Sequence, residues 1–187
     1  LSVFLSLFLS FSLTHSHTPF LFYTPTLLPP GSIPPSLSHT SIEYFTCSHC
    51  RLHGSLDILV ELVRMKELFL DNCLFTGRLP SFATMLPLQM INLAFNRMTG
   101  SIPQSLGELQ NISFVDLSSN LLTGTIPPFL HWVQHNNTRN AAELASTLRV
   151  SELYVPPVDN IDSSQGYFSA QTLNLSSNSL VGTIPAS

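Results

Sequence analysis

The chain has 187 residues, of which 44% are apolar and only 10% are charged, and its formal net charge is −4. A chain this apolar is not a disordered acidic or basic tail. Its seven Lys and Arg residues form no basic stripe, which argues against nucleic-acid binding. Three cysteines are too few for a small disulfide-held scaffold.

The N-terminal segment, residues 1–30, is apolar at first and then rich in proline. Residues 1–13 have the length of a signal-peptide core, but they are fewer than the roughly 20 apolar residues of a membrane-spanning helix. No basic residue precedes this run, and the chain does not begin with Met. The segment is interpreted either as a shortened secretion signal or as an incorrect N-terminus.

From residue 31 onward, glycines recur at nearly constant spacing, at Gly31, Gly54, Gly77, Gly100, Gly124 and Gly182. The first four intervals are 23, 23, 23 and 24 residues, and the last is 58, which is one 24-residue period plus 34 residues. Apolar residues recur in the same phase. Residues 65–80, 88–103 and 112–127 follow the pattern L-x-x-L-x-L-x-x-N/C-x-L-x-G-x-I-P, with small departures. This pattern is the leucine-rich repeat.

Each repeat predicts a short strand whose leucines point inward and stack on those of the next coil, so that one repeat cannot fold alone. A helical interpretation fails because the period is not 3.6 residues and Gly-x-Ile-Pro would interrupt a helix every time. We therefore predict an α/β-type solenoid, a right-handed leucine-rich-repeat coil with a short parallel sheet on its concave face. Repeats are expected over 31–135 (about 4.5 coils), an island or degenerate repeat over 136–168, and a partial repeat over 169–187.

One position of the repeat forms a structural ladder, at Cys50, Cys73, Asn96, Asn120 and Asn178. An asparagine there can hydrogen-bond buried backbone groups that water does not reach. Cys47 falls at a buried leucine position, so buried free thiols are predicted, with a Cys50–Cys73 bridge as an alternative. Cys47, Cys50 and His53 also have a spacing seen in zinc sites. Alternating strand residues point in opposite directions, so no metal site is predicted.

The variable strand positions are predicted to face solvent on the concave side, where they could bind a ligand. The positions expected to contact a ligand are Tyr44, Glu67, Phe69, Asp71, Asn92, Phe114 and Asp116, and Thr46, Met90, Ala94, Thr172 and Asn174 share the same face. Aromatic rings beside carboxylates would suit a partner with basic and apolar groups. An ordinary mixed surface is the alternative.

Three N-x-S/T sequences mark candidate N-glycosylation sites, at Asn111, Asn136 and Asn174. They are typical of a secreted protein. The insertion within 136–168 is interpreted as a ligand-contacting island, as a degenerate repeat around Leu148 to Val155, or as a gene-model artefact.

The G-x-I-P ending resembles that of plant extracellular leucine-rich-repeat proteins. The stretches LFLDNCLFTGRLP (68–80), INLAFNRMTGSIP (91–103) and FVDLSSNLLTGTIPPFLHWV (114–133) are most similar to the ectodomains of leucine-rich-repeat receptor-like serine/threonine kinases, in the branch that also carries a malectin-like domain. The resemblance implies a non-catalytic recognition module without a cofactor, located outside the cell or at its surface. It also implies a peptide or protein ligand, and a co-receptor as a further partner.

The chain carries no Gly-rich phosphate loop and no H-R-D or D-F-G set, so it is predicted not to be an enzyme. Attachment to a membrane would require segments outside this chain. The alternatives are a secreted soluble protein such as a polygalacturonase-inhibitor-like defence protein, or a truncated product without a function. Because the sequence stops partway through a repeat, leaving leucine faces exposed, we expect the chain to be poorly soluble or marginally folded alone.

Overall fold

The computed structural model describes residues 20–22, 31–127, 154–155 and 172–182. Within these ranges the chain winds into a coil whose short strands form two sheets. The principal sheet contains, in spatial order, β1 (Phe20–Phe22), β2 (Tyr44–Thr46), β4 (Glu67–Phe69), β6 (Met90–Asn92), β8 (Phe114–Asp116), β11 (Thr172–Asn174) and β10 (Tyr154–Val155). The second sheet contains β12 (Ser179–Leu180), β9 (Leu121–Gly124), β7 (Arg97–Gly100), β5 (Leu74–Arg78) and β3 (His53–Gly54). Short 3-10 helices span Pro35–His39, Asp57–Glu61 and Gln104–Glu108.

Neighbouring coils pair in parallel and in the register that the repeat predicts. The central residue of each strand in the principal sheet is aligned with that of the next coil and is at most 1% exposed, namely Phe45, Leu68, Ile91, Val115 and Leu173. One apolar cluster extends from Ile33 to Leu180. Full burial of each such side chain contributes about 1.5–3 kcal/mol, so stacking of coils supplies the core that a single coil lacks. The solenoid fold is confirmed.

The 58-residue interval between the last two glycines does not separate their coils. Strand β11 pairs directly with β8, with Leu173 opposite Val115. Residues 154–155 lie on the far side of β11 and pair with it antiparallel, whereas a further coil of the repeat would pair in parallel. The remaining residues of the predicted island lie outside the described ranges.

The asparagine ladder connects adjacent coils through their buried backbone. The Asn96 amide donates to the carbonyl of Leu70 in the preceding coil at 2.8 Å and to the carbonyls of Leu93 and Ala94 in its own coil at 3.1 and 3.2 Å. Its Oδ1 accepts from the backbone N–H of Phe75 at 3.0 Å. The same four hydrogen bonds recur at two further ladder positions, Asn120 and Asn178.

The residue before each ladder position adopts a left-handed backbone, which the sequence pattern did not predict. The φ angles lie between 53° and 58° at His49, Asn72, Phe95, Ser119 and Ser177. For residues other than glycine this conformation costs roughly 1–2 kcal/mol. Hydrogen bonds between coils offset part of that cost, since Asn72 N–H donates to Ala94 O at 2.9 Å and Phe95 N–H donates to Ser118 O at 3.0 Å.

The cysteines differ from the sequence-based expectation. Cys47 and Cys50 form a disulfide, so the prediction of free thiols is wrong for both residues, and a Cys50–Cys73 bridge is excluded. Strand β2 ends at Thr46, and the turn through His49 returns Cys50 toward Cys47, leaving their Cα atoms 5.7 Å apart. The prediction of free thiols rested on the repeat register, which assigned Cys47 to a buried leucine position and Cys50 to the ladder but did not show how the turn between them closes. Cys50 therefore occupies a ladder position without acting as a hydrogen-bonding thiol.

Cys73 is a buried free thiol, as predicted, and it reproduces part of the ladder. Its Sγ donates toward the carbonyls of Cys47 and Asp71, at 3.1 and 3.5 Å. These carbonyls correspond to two of the three that Asn96 reaches in the next coil. Burial raises the pKa of the Cys73 thiol to about 11, so the thiol keeps its donor hydrogen at neutral pH.

Replacing Asn96 by alanine should lower the free energy of unfolding by about 3 kcal/mol or more, since each buried polar group left without a partner costs about 1–3 kcal/mol. Urea denaturation followed by circular dichroism measures the change. The control is Gln89→Ala at an exposed position, for which we expect a change within about 0.5 kcal/mol. Equal effects of the two substitutions would contradict a structural ladder.

Substitution of Cys73 distinguishes a ladder role from simple filling of space. Asparagine at this position can offer an acceptor to the backbone N–H of Leu52, which is equivalent to Phe75 in the next coil. We expect Cys73→Asn to be more stable than Cys73→Ala by about 1–3 kcal/mol, measured by urea denaturation of both. A Cys73→Asn protein no more stable than the alanine variant would show that this coil does not use the ladder.

The Cys73 thiol should also make stability depend on pH. Its pKa is 9.0 in an unfolded chain and about 11 in the folded one, so the unfolded chain loses the proton first. The stabilisation is fully present below pH 9.0 and falls as the pH rises toward 11. We expect the difference in unfolding free energy between the native chain and Cys73→Ala to shrink over this range. A constant difference would contradict the shifted pKa.

Candidate recognition surface

The outward residues of the principal sheet form two columns on its face. One column contains Tyr44, Glu67, Met90, Phe114 and Thr172, and the other contains Thr46, Phe69, Asn92, Asp116 and Asn174. In β2, β4, β6 and β8 the central residue is buried and both flanking residues are partly exposed. The predicted ligand-contacting residues of these strands therefore lie on one face, and Asp71 follows β4. We call Tyr44, Glu67, Phe69, Asp71, Asn92, Phe114 and Asp116 the recognition surface.

Phe69 and Phe114 form an aromatic pair at the centre of this surface. Their ring centroids are 6.4 Å apart and their planes are inclined by 31°. Phe69 lies on β4 and Phe114 on β8, with β6 between them. Strands in a sheet are about 4.8 Å apart, so the rings lean toward each other across the intervening coil. Aromatic pairs at this separation attract each other, which favours one arrangement of the two rings.

The carboxylate of Asp71 is held by neighbours from two coils. Ser48 Oγ donates to one oxygen at 2.6 Å, and Asn72 Nδ2 donates to the other at 3.2 Å. His49 Nδ1 lies 3.9 Å from Asp71. These contacts fix the carboxylate, and the two shorter ones come from uncharged groups.

Asp116, the last residue of β8, is held in a similar way. One oxygen accepts from the backbone N–H and the Oγ of Ser118 at 2.9 and 2.6 Å, and the other accepts from Asn174 Nδ2 at 3.0 Å. The Oδ1 atoms of Asn92 and Asn174 likewise accept from the backbone N–H two residues ahead. Asn92, Asp116 and Asn174 thus close the turn after their strands. This structural role was not predicted, although Asp and Asn at one repeat position were its visible signal.

A cation lies at the other end of the surface. Lys66 Nζ is 2.7 Å from Glu43 Oε2 and 5.9 Å from the centroid of the Tyr44 ring. The hydrogen bond to Glu43 raises the pKa of Lys66, and desolvation opposes it. Neither Lys66 nor Glu43 was predicted at this surface from the sequence. Lys66 neutralises Glu43, so among the described residues the surface carboxylates without an ion pair are those of Glu67 and Asp116.

Two residues expected on the solvent-facing side are buried instead. Ala94 is 3% exposed and Thr172 is 7% exposed. Ala94 follows β6 where the chain turns inward, and its carbonyl accepts from the amide of Asn96. Thr172 begins β11, which lies between β8 and β10 and is therefore not at the edge of the sheet. Neither residue belongs to the recognition surface.

The candidate glycosylation sites differ in their surroundings. Asn111 is exposed, although its amide donates to Leu86 O at 3.2 Å. The amide of Asn174 is partly buried and donates to Asp116, so a glycan on it would displace this hydrogen bond. Asn136 lies outside the described residues. Of the two described sites, Asn111 is therefore the better placed for a glycan, and its glycosylation stays a prediction.

Within the described ranges, no helix combines the length and apolar character needed to cross a bilayer. The same residues include no cluster of three or more His, Cys, Asp or Glu side chains suited to a metal ion. The Cys47 and Cys50 sulfurs, which had the spacing of zinc ligands, are bonded to each other.

The family model of the Leucine Rich Repeat matches residues 87–109, 111–132 and 169–187. These segments contain β6 to β9 and β11 to β12, together with the three asparagines of the ladder and part of the two columns. Over these segments the chain matches the leucine-rich repeat.

Similar proteins are plant receptors. Over 61 residues the chain is 38% identical to the Receptor-like kinase TMK2 of Arabidopsis thaliana, a match that covers 33% of this chain and 7% of that protein. The ectodomain of the Arabidopsis receptor kinase HAESA, solved with an N-terminally extended IDA peptide hormone ligand, superposes with a TM-score of 0.52 at 31% identity over 54% of this chain and 18% of that one. The BIR3–SERK2 complex of Arabidopsis thaliana gives a TM-score of 0.51 at 31% identity, over 53% and 55% of the two chains.

The leucine-rich repeat resembles those of plant receptor ectodomains, as the sequence predicted. The chain spans only a small part of TMK2 and of the HAESA ectodomain. The malectin-carrying branch stays a prediction.

Proposed function

We propose that this chain is a recognition module of a plant cell-surface receptor, and that its recognition surface binds a peptide or a protein segment carrying basic and apolar side chains. The Phe69–Phe114 pair, together with the fixed carboxylates of Asp71 and Asp116, is the observation that carries the proposal. The HAESA ectodomain, solved with a peptide hormone, supports it. The BIR3–SERK2 complex supports a protein partner as well.

The aromatic pair supplies the apolar part of such a site. Phe69 and Phe114 are both partly exposed, so a ligand side chain placed against them would bury surface that water now covers. Aromatic side chains have few rotatable bonds and lose little entropy on binding, which is why they dominate many interfaces. Their mutual contact restrains them further before a ligand arrives. The pair is thus suited to anchor an aliphatic or aromatic side chain.

The carboxylates supply the selectivity for charge. Among the described residues, the ion pairs join His49 to Asp71 and Lys66 to Glu43, and none involves Glu67 or Asp116. The donors that hold Asp116, Ser118 and Asn174, are neutral. A lysine or arginine of the ligand would find a carboxylate already oriented, so little further ordering is needed.

The disulfide favours a location outside the cytoplasm. Disulfides such as Cys47–Cys50 persist in oxidising compartments and are rare where glutathione keeps thiols reduced. This agrees with the candidate N-glycosylation site at Asn111 and with the receptor ectodomains that the chain resembles. We therefore infer an extracellular recognition role without catalysis.

A pair of synthetic peptides tests the proposal, one alternating Arg and Leu and the other alternating Gln and Leu. The Arg/Leu peptide should bind the native chain at least tenfold more tightly. Replacing both Phe69 and Phe114 by alanine should weaken binding by tenfold or more, about 1.4 kcal/mol. Asp116→Asn retains the acceptor for Ser118 but removes the charge, so it should weaken binding and reduce its dependence on salt. Isothermal titration calorimetry measures each affinity.

The control variant is Phe95→Ser, which removes an exposed ring outside the recognition surface. It should leave the affinity for the Arg/Leu peptide unchanged. Circular dichroism establishes that each variant is folded. Equal binding of the two peptides, or full binding by the doubly substituted chain, would refute the proposed site.

A further inference from the structure

The second sheet exposes an apolar row that the recognition surface does not include. Leu74, Phe95 and Leu121 are 41%, 57% and 55% exposed. Leu74 is the first residue of β5 and Leu121 the first of β9, while Phe95 lies two residues before β7. Neighbouring strands of this sheet are parallel, with a stagger that sets Arg97 opposite Thr76 and Leu121 opposite Thr99, so all of the strands begin toward the same edge of the sheet. These three apolar side chains therefore lie along one edge of the second sheet.

Arginines lie along the same sheet. Arg97 is the first residue of β7, between the coils of Leu74 and Leu121, and Arg51 precedes β3 by two residues. Arg78 ends β5, and its side chain lies over Gly100 of the next coil, where an added Cβ would meet Arg78 Cγ at 3.0 Å. All three arginines are exposed. Successive coils thus place arginine, leucine, arginine and leucine at one repeat position, Arg51, Leu74, Arg97 and Leu121.

No negative charge balances this row. The strands of the second sheet contain no Asp or Glu. Among the described residues, neither of the two ion pairs involves Arg51, Arg78 or Arg97. The recognition surface has the opposite character, because among the described residues its carboxylates without an ion pair are those of Glu67 and Asp116. The two sheets therefore present surfaces of opposite charge.

We infer that this edge, formed by Arg51, Leu74, Phe95, Arg97 and Leu121, is a second docking surface for an acidic protein whose contact residues include aliphatic side chains. A partner carboxylate would pair with Arg97, and partner aliphatic groups would cover Leu74 and Leu121. Exposed apolar side chains grouped in this way mark interaction sites. The charge of the partner is the reverse of that required by the recognition surface, so one solenoid can hold both partners.

The apolar residues distinguish a protein from a polyanion. An acidic polysaccharide would pair with Arg51 and Arg97, but it has no aliphatic side chains with which to cover Leu74, Phe95 and Leu121. A protein surface satisfies both requirements, since the core of an interface is apolar and its rim is polar. The alternation of leucine and arginine therefore favours a protein.

Three synthetic peptides and polygalacturonate test the inference with the full chain, by calorimetric titration. The peptides alternate Glu with Leu, Gln with Leu, and Glu with Ser. We expect the Glu/Leu peptide to bind at least tenfold more tightly than the other two peptides and than polygalacturonate. Arg97→Glu and Leu121→Ser should each weaken its binding by at least fivefold. Arg64→Glu, at an exposed arginine outside the second sheet, should leave the affinity unchanged.

The double substitution of Phe69 and Phe114 should also leave Glu/Leu binding unchanged, which separates this surface from the recognition surface. Tight binding of polygalacturonate or of the Glu/Ser peptide would show a polyanion site and overturn the inference. Absence of Glu/Leu binding would overturn it as well. Analytical ultracentrifugation provides the last test, since self-association that Arg97→Glu abolishes would assign the edge to a second copy of the chain instead.

Discussion

The hydrogen bonds of the ladder asparagines are the interaction on which the rest of the structure depends. The strands of the principal sheet that carry the core contain three residues or fewer, too few to fix the register of a coil by their own pairing. The Asn96 amide bonds its own turn and the preceding coil together, satisfying carbonyls that the core hides from water. Removing the Asn96 amide would expose no new surface, yet it would leave several buried backbone groups without hydrogen-bond partners. Apolar stacking holds the coils together, whereas the ladder sets where each coil turns.

This constraint explains the backbone around the ladder. The chain must reverse its direction within one residue to bring the asparagine amide back under the preceding turn. The left-handed residue before each ladder asparagine makes that reversal. Phe95 adopts this conformation although aromatic residues rarely do. The reversal also directs Phe95 outward, where its ring is exposed. One backbone requirement therefore fixes both the inter-coil hydrogen bond and the exposure of a side chain on the docking edge.

Much of the fold could be predicted because the period is visible in the sequence. The spacing of Gly54, Gly77, Gly100 and Gly124 identified the coils, and the leucine pattern aligned Leu68, Ile91 and Val115 in the core. The disulfide was not predictable from this pattern, since it depends on where β2 ends and how the following turn closes. The buried positions of Ala94 and Thr172 likewise depend on turn direction and neighbouring strands. Periodicity specifies which residues are equivalent, but it does not specify the local backbone between them.

The candidate site, too, could be predicted only in part from the sequence. The repeat register placed Phe69 and Phe114 on one face, but their ring contact crosses an intervening coil and depends on side-chain conformation. The sequence assigned Asp116 to ligand contact and did not predict that it also closes a turn by accepting hydrogen bonds from Ser118. Such a residue has its carboxylate oriented before any ligand binds. The second sheet was not anticipated at all, since the pattern fixes its inward residues, such as Met98 and Leu122, and leaves the outward ones free. That freedom lets outward positions carry opposite charges on the two sheets while the inward residues maintain one core.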